Sequence, residues 1–402
     1  MNLTNAGFRF VIEALAGATG QTNWVQATDY SGPFSTDFIC PLALTPKNRL
    51  YVAGLGGTVF YSDTPDAAAP PSFTRTAFYG LNNYMTNTNV FDSHIHISTP
   101  ITVDRYGDIF FGFQVTGPTP LGTQGGLARI DFNGTGSWIS AATAVGTTNN
   151  SQPLSESAPA LSHDEKTIYV AFTSGIENPL TYLAAIDSRT MTRVAAVHLI
   201  DPEYDSNPGG ASSTASPTVG PDGDVYFGVL GTYGTENGGG GWLLHFDSTL
   251  SVSKIPGPFG WDVTDSIVNA SLVPSYTGNS TYLLATKYNN YTTGKYYMAL
   301  FDPQQGVSNS THVTAMAAVL KIPSPNAFEW CINSAAVDPF TKSVLANNED
   351  GNLYRWDLTR NQLTESVALT TTQSGEAYTP TVIGVDGTVY AINHGYLFAV
   401  GQ

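Results

Sequence analysis

The chain has 402 residues, only 12% of them charged, and its 16 Lys and Arg against 32 Asp and Glu leave a formal net charge of −16 at pH 7. Nucleic acid and anionic membranes bind clustered basic side chains, so this balance argues against both partners, and no stretch is apolar enough to insert in a bilayer. With 40 Gly, 24 Pro and 21 Tyr, the composition is that of a turn-rich all-β protein. Two cysteines, Cys40 and Cys331, are too few for a disulfide framework and leave open whether they pair.

The chain begins MNLTNAGFRFVIEALAGATG, with no basic segment leading into a proper apolar core, so no signal peptide is expected. TNWVQATDY, Thr22 to Tyr30, reads as a strand. Then one phrase recurs seven times: a small residue or proline, an apolar pair, a polar turn and an apolar-aromatic run. The instances begin at Pro41, Pro100, Pro159, Pro217, Ser271, Ala335 and Pro380. The step is roughly 60 residues for most repeats, a period that signals a repeat architecture.

Within each repeat the opening hairpin is followed by an apolar run ending in Asp. Examples are LARIDFNGTG (Leu127 to Gly136), YLAAIDSRT (Tyr182 to Thr190), LLHFDSTL (Leu243 to Leu250), MALFDPQQG (Met298 to Gly306) and LYRWDLTRN (Leu353 to Asn361). A fourth short apolar run follows, such as VAAVHLI from Val194. Alternating strands bounded by Gly, Asp, Asn and Pro, four to a repeat, predict a β-propeller of four-stranded antiparallel blades. The prediction is a single domain over 1–402, with blades starting near 40, 99, 158, 216, 270, 334 and 379. The last repeat stops at its third strand, so the segment within 1–30 is expected to supply the fourth and close the ring.

Two of these motifs carry a family likeness. SPTVGPDGDVY, Ser216 to Tyr226, and the AIDSRT-type third strand resemble the repeats of the quinoprotein-like, or PQQ-repeat-like, β-propellers. The likeness runs from about Cys40 to the C-terminus. It implies the propeller fold, in a superfamily that includes dehydrogenases and assembly scaffolds. The quinone-dependent dehydrogenases carry eight blades and an adjacent cysteine pair. Seven repeats and no Cys-Cys argue against PQQ as a cofactor here.

In a propeller, the loops that lead into each first strand share a face with the turns joining strands two and three. The lead-in loops here are long: Tyr79 to Ile97, Asp201 to Ala215, Pro256 to Asn269 and Ile322 to Asn333. Long loops in a compact fold are more often functional than idle, which puts the expected site on that face. Aligning the seven first strands places Asp37, His96, Cys331 and Glu376 four residues before their blade starts, on consecutive blades. Side chains alternate along a strand, so His96, Asp37 and Glu376 are expected to form an arc, with Tyr378 and Asn333 one layer below and His94 further out.

A histidine beside two carboxylates suits acid–base catalysis, a divalent metal or a polar plug around channel water. Aromatics on the loops, Trp330 and Trp261 above all, are candidates for stacking on sugar rings. Further carboxyls near the mouth are Glu156, Glu329 and Asp265. NNEDGN, Asn347 to Asn352, faintly resembles a calcium loop but lacks the remaining ligands and reads as a hairpin turn. His163, His198, His245 and His312 read as structural.

Seven N-x-S/T sequons, at Asn2, Asn133, Asn149, Asn269, Asn279, Asn290 and Asn309, and the low Lys content favour an extracellular protein. The functional expectation is a carbohydrate-binding propeller that cleaves its glycan as a hydrolase or lyase, using the His96 arc. The alternatives are a non-catalytic scaffold and a structural surface protein. The partner expected is a glycan or small molecule, with the acidic balance favouring a neutral one.

Overall fold

Six of the seven opening phrases fold into a hairpin because the polar turn carries the residues the turn needs. In the fourth repeat Thr218–Val219 pairs with Val225–Leu230 across PDGD. Gly223 takes the left-handed φ of 89° there, and its amide reaches the Gly220 carbonyl at 2.8 Å. The computed structural model describes residues 3–4, 7–8, 10–17, 19–32, 41–147, 152–174, 180–208, 215–232, 240–291, 293–308, 312–371 and 379–401.

The chain divides into two compact units, Met1–Ile176 with Leu180–His198, and Glu177–Pro179 with Leu199–Gln402. In the first unit a four-stranded sheet spans Leu42–Leu44 to Thr74–Ala77, and two five-stranded sheets follow, the last ending with Arg193–His198. In the second unit three four-stranded sheets run from Thr218–Val219 to Gln362–Ala368, and a three-stranded sheet ends with Tyr396–Val400. All ladders within these sheets are antiparallel. The third strands end where the apolar-plus-Asp pattern places them, for example Thr181–Asp187 and Asn352–Asp357. Thr22–Ala27 is a strand as expected, and it pairs with Val11–Leu15 in a two-stranded hairpin.

Period-two alternation explains how each sheet packs on both faces. In Ile109–Val115, Ile109, Phe111 and Phe113 enter one apolar cluster with Phe78 and Ile97. Phe110 faces the opposite way into a cluster with Ile168 and Phe172. In the second unit, strand Tyr282–Asn290 sends Leu283 and Ala285 into a core with Trp330 and Val344, and Tyr282 and Leu284 into another with Phe259 and Phe301. Burying one such large apolar side chain stabilises the fold by about 1.5–3 kcal/mol.

Two expectations need correction. The loop Tyr79 to Ile97 contains helices Leu81–Thr86 and Thr88–His94, so His94 ends a helix and does not continue the strand alternation of His96. Its ring packs on Gly117. The first strand of the fifth repeat is Ser266–Asn269, which begins five residues before the phrase at Ser271. Asn269 accepts a hydrogen bond from the Ser271 amide at 2.9 Å and turns the chain into a short 3-10 segment, Ala270–Leu272, where a strand was expected.

Candidate functional site

The same alternating face that builds the fifth sheet's core ends in polar residues. Beyond Leu283 and Ala285, positions 287 and 289 of that strand are Lys and Asn, and both are buried, at 2% and 0% exposure. Lys287 lines a small cavity of ≈80 Å³ with Trp261, Asp262, Tyr291, Glu329 and Cys331. Two of the long lead-in loops thus contribute, 256–269 through Trp261 and Asp262, and 322–333 through Glu329 and Cys331. The hairpin turn 347–352 adds Glu349. The atoms of Glu329, Cys331 and Glu349 that could hold a ligand lie within 4.8 Å of one another.

Backbone geometry holds the loops over the strand. A Cβ on Gly260 would stand 2.3 Å from the Lys287 carbonyl oxygen, so only glycine permits this approach. Trp261 and Asp262 follow at φ 64° and 51°, two consecutive non-glycine residues in the left-handed region. Each costs on the order of 1 kcal/mol, and together they turn the Trp261 ring edge-on to Tyr291, 6.4 Å away, with 43% of the tryptophan exposed. The Glu349 amide donates to the Glu329 carbonyl at 3.4 Å, and Gly351 at φ 85° completes a plain hairpin turn in NNEDGN.

The electrostatics are uneven. No hydrogen bond or ion pair to the Lys287 ammonium is made among the described residues, although Asp262 and Glu329 share its cavity. The Asn289 amide donates to the Trp330 carbonyl at 3.2 Å and to Glu329 at 3.4 Å, while its own carbonyl oxygen is buried with no donor. Burial, reinforced by the Glu329 carboxylate, pushes the Tyr291 phenol far above its usual range, so it stays protonated and can donate. In the same lead-in loop as Trp261, burial raises the Asp265 carboxyl to about 7.

Glu329, Cys331 and Glu349 are also the group that could hold a metal ion. One soft thiol with two carboxylates suits zinc better than calcium. A lysine ammonium lining the same cavity opposes a dication.

The residues expected from the sequence separate into four groups. Trp261 and Cys331 line the cavity, and Asn333 lies next to it in sequence, half-buried, its carbonyl accepting from Thr264 at 2.7 Å. Trp330 is corrected: it is fully buried, edge-on to Tyr354 at 5.7 Å in the apolar core, so its ring has no open face for a sugar. Asp37, Glu376, Tyr378 and Cys40 lie outside the described residues.

His96 belongs to the first unit, half-buried opposite Gln114, with a buried Nδ1 that has no partner. Gln114 donates to Ser155 at 2.8 Å, linking His96 to the matching position of the next repeat. His245 is structural: burial lowers its pKa, Asp224 holds Nε2 at 2.9 Å, and Tyr226 stacks on the ring.

Lys287 escaped the sequence reading, because a lysine in a strand normally faces water. A groove of ≈530 Å³ in the first unit escaped it too. It lies among the tight turns and is lined by Asp104, Tyr106, Asp108, Arg129, Glu165 and Arg189, among others. Its walls are ion-paired, Arg129 to Asp108 at 2.5 Å and Arg105 to Glu165 at 2.6 Å, which marks a charged seam between two sheets.

In class, then, the chain is an all-β protein of four-stranded antiparallel sheets with the fold of the PQQ-repeat-like β-propellers. Among solved structures it is similar to BamB from Moraxella catarrhalis, at TM-score 0.52 and 11% identity over 97% of this chain and 87% of that one. It is similar at the same TM-score to a chain of the mitotic checkpoint complex, with 12% identity over 92% and 91% of the two chains. A europium-containing methanol dehydrogenase matches at TM-score 0.51 and 11% identity, over 94% of this chain and 78% of that one. No protein-family profile and no curated protein matches the chain in sequence.

Proposed function

We propose that this chain is a seven-bladed propeller that binds a small polar ligand, gripping one end of it in the cavity between Lys287, Glu329 and Trp261. Lys287 carries the reading. Lys287 is 2% exposed, and its ammonium has no hydrogen-bond or ion-pair partner among the described residues; a ligand oxygen between it and the carboxylates would supply an acceptor. Strain at Trp261 and Asp262 is the kind that collects at ligand clamps.

The carbohydrate version of this reading is direct. A hydroxyl can accept from Lys287 and donate to Glu329, while Trp261 offers its ring to the apolar face of a sugar. The cavity takes one edge of such a ring, and the rest would lie along Trp261. The proposal is for binding; the cleavage expected from a His96, Asp37 and Glu376 arc has no support in this cavity. An extracellular location belongs to the same proposal, on sequons of which Asn133 and Asn279 are exposed. Ring closure through the N-terminal segment does as well, on the count of seven successive sheets with a three-stranded last one.

The test is a thermal-shift screen of wild type and Lys287→Met against neutral sugars and small polar metabolites. A compound that stabilises wild type and leaves Lys287→Met unshifted supports the reading. Equal shifts in both proteins, or none in wild type, contradict it.

A further inference from the structure

The cavity holds two charge poles that do not neutralise each other. One is the Lys287 ammonium, buried and without a hydrogen-bond or ion-pair partner among the described residues. The neighbouring Tyr291 hydroxyl donates to the Gly260 carbonyl at 3.4 Å. The other pole is acidic: Glu329 and Glu349 bring potential ligand atoms within 4.8 Å of each other and of Cys331, and Asp262 joins Glu329 in the cavity wall. Carboxylates this close repel each other unless a cation or a shared proton lies between them. Lys287 does not come within ion-pair distance of Asp262 or Glu329, although all three line one cavity.

A neutral hydroxyl satisfies each pole with a dipole. A simple anion would satisfy Lys287 and be repelled by the carboxylates, and a simple cation the reverse. A molecule carrying both charges on neighbouring atoms meets both poles at full charge. The volume of ≈80 Å³ is several times the roughly 10–15 Å³ that a cavity needs to hold one water, room for a small polar head group. An α-amino acid head group has that size and that charge pattern.

We propose that the cavity is a receptor for a zwitterionic α-amino acid head group. The ligand carboxylate accepts from Lys287, and its ammonium donates to Glu329 and Asp262. The ligand side chain leaves past the exposed Trp261 ring. The inference rests on the binding reading above and names the ligand class for the same site.

Isothermal titration of the whole chain with glycine and L-serine tests it, set beside acetate, ethylammonium and methyl glucoside. The expected result is binding of both amino acids at least about tenfold tighter than any of the three partial probes. Lys287→Met should weaken glycine at least about thirtyfold, the scale of removing one partner from a desolvated charge pair. Glu329→Gln should weaken glycine similarly while leaving acetate unchanged.

Binding of methyl glucoside as tight as glycine would overturn the zwitterion and leave the binding reading standing. No binding by any probe would overturn both. Tight binding of zinc chloride alone, lost in Glu349→Gln, would assign the acidic pole to a metal and overturn the proposal. The comparison of probes on wild type holds even if a variant does not fold.

Discussion

Gly260 and Lys287 touch backbone to backbone: a Cβ at 260 would come within 2.3 Å of the Lys287 carbonyl oxygen and 2.9 Å of its Cγ. That contact ties the lead-in loop of the fifth sheet to the strand carrying the buried ammonium. Gly260→Ala should therefore lift the loop and open the cavity. Overpacking of this kind costs about 1–3 kcal/mol. Chemical denaturation should show that loss, and the variant should no longer respond to a ligand that stabilises wild type.

Lys287→Met should move stability the other way. Lys287 is 2% exposed and its ammonium has no partner among the described residues, so an apolar chain of similar length there should stabilise the fold by about 1–3 kcal/mol. Urea unfolding measures this. A large loss of stability would mean that Lys287 has a structural partner.

The two neighbouring tryptophans should behave oppositely. Trp330→Ala removes a fully buried ring from the core it shares with Leu283, Val344 and Trp356, and should cost about 3–5 kcal/mol. Trp261 is 43% exposed and touches Tyr291 edge-on, so Trp261→Ala should cost less than about 1 kcal/mol while weakening ligand binding. Unfolding curves and titration of the two variants, side by side, separate the roles.

Asp265 should give the fold a pH dependence. Burial raises its carboxyl from 3.8 to about 7, with the Thr286 hydroxyl opposing the shift. Below the lower value both folded and unfolded chains are protonated there and nothing is lost. As pH rises between the two values, the unfolded chain releases the proton and the folded chain keeps it, so stability falls, then levels off above about 7. The shift corresponds to a contribution of order 4 kcal/mol. Asp265→Asn should match wild type near pH 4 and exceed it by a few kcal/mol near pH 8, measured by urea unfolding at each pH.

Local patterns made the sheets readable in advance. The apolar run ending in Asp marks a third strand because the pleat and the turn that follows it are both local, and Thr181–Asp187 and Asn352–Asp357 lie where it points. The lead-in loops carrying Trp261 and Cys331 were visible from their length. The fifth repeat's first strand begins five residues ahead of its phrase, at Ser266, because the Asn269 side chain turns the chain where the phrase begins, which periodicity does not register.

Burial was the less legible quantity. Trp261 and Trp330 look alike in sequence, and only the packing of the sheet behind Trp330 distinguishes them. Lys287 sits in YLLATKYNN, where nothing local says that its face is covered by a loop some 25 residues earlier in the chain.

One comparison tests the central claim most directly: ligand-induced melting shifts of wild type, Lys287→Met and His96→Ala, measured against the same panel of amino acids and sugars. The account predicts that a compound stabilising wild type also stabilises His96→Ala and leaves Lys287→Met unmoved. The opposite pattern, with the shift lost in His96→Ala and kept in Lys287→Met, would contradict it.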